Sequence, residues 1–429
     1  MNTLLRRACA RPRKTILGTL ALAPALLAAA VSAAAAEPVP LALDEAVRLA
    51  VTAQPLLEAQ RATVAAARER AVAMRQLPDP MLLAGVQNLP VNGEDRYSLS
   101  MDFMTMTTVG VMQEFPLPGK RRLRGQAEAL MANAGEAKLA ALERAVRRDA
   151  AMAWIDLWFA ERAAELTTAM AAEAERERGA AEIAYRAGRA PQADLLAADV
   201  ELEMLRDRVR RLEQDAAEAR EKLTRWIAQP VMAKVAAETP ALPEPPPLEA
   251  LLAALERHPE LAEAGFEVAA AENSVALAQQ GYWPDWRVEA MYGWRPDFDE
   301  MVSVQLGIDL PVFRGKRQDR EAGAAREQRA ASEATREDMK RQLRAMAAGI
   351  WRGWSEARAR LVRYDEVIVP RSAARAEAAL AAYRTGKAEL AGVLSARRSA
   401  LDASLMRLDL QMDVLKRLTE LRYLNAEGA

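Results

Sequence analysis

The stretch DFMTMTTVGVMQE at 102–114 places three thioethers, Met104, Met106 and Met112, at even-numbered positions between two carboxylates, Asp102 and Glu114. If it runs as one strand without a bulge, all five share a face, because side chains alternate with a period of two. Thioether sulfur is a soft ligand suited to Cu(I). The competing reading is that methionine, flexible and polarizable, only fills space there. His258 is the single histidine and directly precedes Pro259. A metal site would need further ligands beside it, so it reads as a helix-start residue. No Ser/His/Asp arrangement, Gly-rich phosphate loop or metal-spaced Cys/His cluster occurs, so the sequence points to neither an enzyme nor a cofactor.

A second group of reactive side chains lies in two similar turns, AYRAGRA at 184–190 and AYRTGKA at 382–388. Tyr185, Arg186, Gly188 and Arg189 in the first match Tyr383, Arg384, Gly386 and Lys387 in the second. Asp194 and Glu389 follow closely and could supply negative charge. The basic residues read either as solvated turn charges or as links between copies of the chain.

These turns belong to a larger duplication. LDEAVRLAVTAQPLLEAQ at 43–60 resembles LEALLAALERHPELAEAG at 248–265, and EFPLPGKRRLRGQAEA at 114–129 resembles DLPVFRGKRQDREAGAA at 309–325. Each half reads as a helix, a proline-flanked pair of strands, a very long helix, the turn and a returning helix. The expected boundaries are a first repeat over 37–228, a Pro-rich linker over 229–247 and a second repeat over 248–429. Strands are expected at about 80–90, 96–115, 284–296 and 300–312. The long helices are expected at about 120–186 and 317–385, ending in turns at 185–191 and 383–388.

Leu139, Leu142, Val146, Ala150, Ala153, Leu157, Ala160 and Ala164 step by three and four, the spacing of a coiled-coil seam. Lys120 to Arg186 would span about 100 Å at ~1.5 Å per residue. Trp154, Trp158, Trp351 and Trp354 fall at matching depths of the two long helices and read as packing between helices. Pro370 should kink the second long helix, as a packing bend or as a hinge, or locally free a carbonyl.

The strands switch to period two. In 284–296, Trp286, Val288, Ala290, Tyr292 and Trp294 oppose Arg287, Glu289, Met291 and Arg295. In 97–115, Tyr97, Leu99, Met101, Phe103, Val109, Val111 and Phe115 share the apolar face. One face suits lipid, with Trp286, Tyr292 and Trp294 at the interfaces, and the other an aqueous lumen. Four strands cannot close a barrel, so copies of the chain must complete it.

The 59 basic and 60 acidic side chains balance, which gives no reason to expect a nucleic-acid partner. Basic residues from Arg6 to Lys14, an apolar run from Ile16 to Val31 and Ala34-Ala35-Ala36 read as a signal peptide over 1–36. Cys9 precedes that run, where a lipid-attachment cysteine would follow it.

LDEAVRLAVTAQP, GVMQEFPLPGKRR, IDLPVFRGKR and the turns YRAGRAPQADLL and YRTGKAELAGVL, in this order, resemble the TolC family of outer-membrane efflux proteins. The resemblance implies a mainly α fold with a transmembrane β-barrel contribution: a homotrimer with a twelve-stranded barrel in outer-membrane lipid and a helical tunnel in the periplasm. It also implies that the turns form a tip where a periplasmic membrane-fusion adaptor docks and the channel opens. An inner-membrane resistance-nodulation-division pump would supply the energy. DFMTMTTVGVMQEF is similar to members paired with heavy-metal pumps, so Met104, Met106 and Met112 are the expected transit contacts. Gly392 and Ser395 depart from relatives that carry carboxylates past the second turn. The alternatives are a periplasmic coiled-coil adaptor or scaffold, or a channel for organic drugs.

Overall fold

The computed structural model describes residues 40–425, and the expected signal peptide lies outside them. Two short helices, α1 (Leu43–Ala53) and α2 (Pro55–Ala73), lead into strands β1 (Met81–Gln87) and β2 (Met106–Phe115). Helix α3 (Pro118–Arg186) then runs 69 residues without a break, about 100 Å at ~1.5 Å per residue, and α4 (Gln192–Ile227) returns along it. The second half repeats the order: α5 (Leu248–Ala254) with a 3-10 turn at Leu255–Arg257, α6 (Pro259–Gln280), β3 (Trp286–Trp294) and β4 (Met301–Ile308). Its long helix is α7 (Gln318–Arg363), a π-helical stretch at Tyr364–Ile368 and α8 (Val369–Arg384), with α9 (Leu390–Leu424) returning.

Both halves break their first helix before a proline, at Gln54–Pro55 and His258–Pro259. Proline lacks an N–H but suits the first helical turn, so the same residue ends one helix and starts the next. His258 is fully buried, its Nδ1 accepts from the Glu260 N–H at 3.4 Å, and its ring meets Tyr423 edge-on at 5.5 Å. Burial pushes its pKa below the ordinary value of 6.5, so it folds neutral. The unfolded chain therefore binds the proton first, and this stability is present above about pH 6.5 and lost as pH falls through the depressed folded value. Thermal unfolding of His258→Asn, which keeps an N-cap acceptor, should show a shallower loss of Tm than the parent between roughly pH 7.5 and pH 5.5.

Alanine on the α3 seam sets close packing. Val146, Ala150, Ala153, Leu157 and Ala160 are buried, with Leu139 and Leu142 packed beside them. The Pro-rich linker is strapped onto this core. Leu41 and Val235 form a parallel bridge, and indole N–H groups hold carbonyls of the segment before α1 and of the linker: Trp154 to Leu41 O at 2.9 Å, Trp158 to Ala237 O at 3.4 Å and Trp351 to Pro246 O at 3.1 Å. Buried Glu161 accepts from Arg220 at 2.6 Å and from the Val235 N–H at 3.2 Å.

The sequence expectation differs from the structure in one element. Residues 96–105 are turns rather than strand, so Tyr97, Leu99, Met101 and Phe103 do not extend the β2 face. The Ser98 hydroxyl accepts from the Met101 N–H at 3.0 Å, and Asp102 Oδ1 accepts from the Met104 N–H at 2.6 Å. Such local side-chain bonds offer the backbone an alternative to the ladder. At Pro370 the second long helix frees a carbonyl, one of the outcomes the sequence predicts. Proline leaves the carbonyl four residues back without its helical donor, and the preceding turn widens, with Val369 N–H reaching Tyr364 O five residues back.

Candidate functional site

The four strands form one antiparallel sheet in the order β1-β2-β3-β4, leaving β1 and β4 as open edges. The register lines up one apolar face. Leu82 lies opposite Val111, Val109 opposite Tyr292, Tyr292 opposite Val302, and Val288 opposite Leu306. Val109, Val111, Val302, Val304, Leu306 and Ile308 are all about half exposed or more. Trp286, stacked on Phe115 at 4.6 Å, lies at the end of this face nearest the helices, and Tyr292 and Trp294 lie toward the far end. The nine residues of β3 match the length of a tilted membrane-crossing strand. None of the described helices is long and apolar enough to cross a membrane.

The other face is close-packed where β2 meets β3. Met291 lies across Gly110, where a Cβ would come within 2.4 Å of Met291 Cγ, and Met106 lies across Gly293, where a Cβ would come within 2.7 Å of its sulfur. Gln87 Nε2 donates to Met291 Sδ at 3.4 Å. Met106 and Met112 occupy even positions of β2, at opposite ends of the strand. Met104 lies in the turn before it, exposed, with its carbonyl accepting from Asn88 at 3.3 Å. The structure thus does not bring the three expected methionines together. Met291, not singled out with them, lies next to Met106 on the same face, across Gly110.

At the opposite end of the molecule the two turns have the same backbone. Gly188 and Gly386 adopt φ of 69° and 70°. Gly188 N–H donates to Tyr185 O and Arg189 N–H to Ala184 O. Gly386 N–H donates to Tyr383 O and Lys387 N–H to Ala382 O, all four at 2.9 Å. This is the Schellman ending, and it needs a left-handed residue just past the cap. A Cβ at either glycine would meet nothing within 4 Å, so the cost of substitution is conformational alone. Gly188→Val and Gly386→Val should each lose about 1–2 kcal/mol of local stability, read as faster proteolysis at the turn, and asparagine should cost less.

The side chains of the turns are not equivalent. Tyr383 is half-buried against Ala181, Ala198, Leu390, Val393 and Leu394, whereas Tyr185 is exposed. Burial raises the pKa of Tyr383, with the Asp194 charge adding to it, so the two hairpins meet there. Arg186 pairs within its own helix with Glu182, while Arg189, Arg384, Lys387 and Glu389 are exposed.

Stronger links lie just above the turns, among residues the sequence did not single out. Arg397 of α9 pairs with Glu173 and, at 2.7 Å, with Glu177, both on α3. Arg398 pairs with Glu201 of α4, and Arg208 of α4 with Asp402 of α9 at 3.0 Å. Arg178 ties α3 to Asp199 of α4 at 2.7 Å. The Arg397 and Glu177 side chains are only 17% and 13% exposed. Burial raises the pKa of Glu177, partly offset by Arg397. No local pattern in the sequence marks these links, since each partner lies on a distant helix.

Residues 250–426 match the family described as outer membrane efflux protein. No curated protein sequence matches the chain. The outer-membrane channel OprN superposes with a TM-score of 0.75 at 19% identity over 90% of each chain. The outer membrane protein VceC of Vibrio cholerae gives 0.76 at 17% identity, covering 90% of this chain and 97% of VceC. CusC, described in terms of folding and transmembrane channel formation, gives 0.75 at 15% identity, covering 89% and 92%. The chain has the outer-membrane efflux channel fold. Within that fold the sheet corresponds to a barrel segment and the helices to its tunnel wall, which puts the paired turns at the end farthest from the barrel.

Proposed function

We propose that this protein is the outer-membrane channel of a tripartite efflux system, a passive conduit with no catalytic step. The observation that carries this reading is a four-stranded sheet with an apolar outer face and two unpaired edges, continued by a helix of about 100 Å. Open edges are not tolerated in lipid, so three copies close a twelve-stranded barrel in the outer membrane. Trp286, Tyr292 and Trp294 then anchor the barrel at the interfaces, and the helices form a periplasmic tunnel. A membrane-fusion adaptor docks on the rim made by Tyr185, Arg186, Gly188, Arg189, Asp194, Tyr383, Arg384, Gly386, Lys387 and Glu389. An inner-membrane resistance-nodulation-division pump drives the flow. Opening the rim means separating α8 and α9 from α3 and α4, so the Arg397 and Arg398 pairs resist it.

The cargo we propose is a heavy-metal cation such as copper or silver, with Met106, Met112 and Met291 as soft contacts along the lumen. A channel for organic compounds is the second reading, favoured by the burial of Met106 and Met291, which suits packing over glycine. Cell fractionation tests the channel: heat-modifiable trimers in the outer-membrane fraction are expected, and soluble periplasmic protein would refute it. Deleting the gene should lower copper and silver tolerance. Unchanged metal tolerance with raised sensitivity to organic drugs would overturn the metal reading alone.

A further inference from the structure

A cavity of about 200 Å³ opens where α1, the middle of α3, the linker and the end of α9 converge. Its floor is apolar: Leu43 and Ala151 are buried, with Val47 and Leu242 packed beside them at the edge of the largest core cluster. Its walls are basic. Arg48 of α1, Arg144, Arg147 and Arg148 of α3 and Arg422 of α9 line it, against one carboxylate, Asp44.

These guanidiniums outnumber the acids that meet them. Arg147 pairs with Glu143 at 3.4 Å, and Arg148 bonds Asp149 at 2.7 Å while lying over the Tyr423 ring at 4.6 Å. Tyr423 is fixed in turn by its hydroxyl, which donates to Glu260 at 2.6 Å. Arg144 donates to Asn425 O at 3.2 Å. Glu420, the next carboxylate, is shared between Arg148, Arg417 and Lys416. Arg48 and Arg422, both exposed, make no ion pair among the described residues. The five cavity arginines thus exceed Asp44, Glu143 and Asp149 by two charges. Helix α1 adds to this field. It begins at Leu43 on the cavity wall, and Ala42 at its N-cap offers no side-chain acceptor to the first-turn N–H groups.

We propose that this cavity binds a small anion with an apolar body: a carboxylate or phosphate monoester carried on an aliphatic or aromatic group. A guanidinium presents paired N–H donors that match either oxyanion. Arg48 and Arg422 reach it from different helices, and neither has to leave a partner to do so. The apolar group covers the floor of Leu43, Val47, Ala151 and Leu242, which a bare inorganic ion would leave in water. Bound there, the anion links α1 of the first repeat to α9 of the second, so occupancy steadies the joint between the repeats. The site lies within one chain and does not rest on the channel reading.

Full-length protein in a non-ionic detergent is titrated with phenyl phosphate, benzoate, benzamide and inorganic phosphate, read by calorimetry and by the rise in Tm that a ligand of the folded state causes. Phenyl phosphate and benzoate are expected to bind and raise Tm, benzamide to do neither, and inorganic phosphate to bind more weakly than phenyl phosphate. Arg48→Gln and Arg422→Gln break no ion pair of the folded chain. Each should weaken both organic anions about tenfold, the loss of one charge-assisted hydrogen bond, with the Tm of the unliganded protein unchanged. Arg211→Gln, at an exposed arginine of α4 outside the cavity, controls for net charge and should leave binding as it was. Anions that bind no better than benzamide, undiminished binding in both cavity variants, or an equal loss in Arg211→Gln overturns the site. Inorganic phosphate that binds as tightly as phenyl phosphate overturns the role of the apolar floor and with it the ligand class.

Discussion

Arg397→Ala should loosen the tip by about 3–5 kcal/mol, because it leaves a largely buried carboxylate without its partner. Arg397 reaches Glu173 and Glu177 from another helix, so the loss falls on the contact that holds α9 to α3. The expected readouts are faster proteolysis near the turns and a raised closed-state conductance. Glu177→Gln gives the control. Its folded pKa is raised by burial, with Arg397 pulling it back, so the folded protein holds this proton more tightly than the unfolded chain. That contribution is present below the unfolded value of about 4.5 and is lost as pH rises through the raised folded value. A neutral amide at 177 should therefore remove most of the penalty of Arg397→Ala in a double variant. If the double variant is as unstable as the single one, the buried charge is not the cause.

Trp154→Ala should cost about 3–5 kcal/mol, the range for truncating a buried aromatic. Trp154 is 1% exposed, sits in the largest core cluster, and holds Leu41 O. Trp154→Phe separates packing from the hydrogen bond. Leu41 O keeps the Ala236 N–H at 3.1 Å, so it is not orphaned, and the loss should be only about 1–2 kcal/mol. Chemical denaturation of the three proteins checks this, and equal losses for alanine and phenylalanine would assign the effect to the strap instead.

The parts legible in the sequence were those governed by local periodicity. Alternation in 286–294 and 301–308 carries the two faces of β3 and β4, because a strand side chain can only point to one side or the other. The Tyr-Arg-x-Gly pattern carries the turn, because only glycine takes that φ cheaply. Residues 96–105 alternate just as well, yet Ser98 and Asp102 bond their own backbone and win over the ladder. The π-helical stretch at 364–368 depends on how Pro370 is accommodated, which no hydrophobic pattern records. The tip links were invisible for another reason. Arg397 and Glu173 are 224 residues apart and Arg398 and Glu201 are 197 apart, so each looks like an ordinary solvated charge until helix packing sets its neighbour.

The most direct test of a trimeric conduit gated at its tip is planar-bilayer recording of outer-membrane protein, parent beside Arg397→Ala. Discrete, small conductance steps from the parent and larger ones from Arg397→Ala, at equal trimer yield, are the expected result. Protein that is soluble and monomeric, or trimers that never conduct in either form, would contradict it.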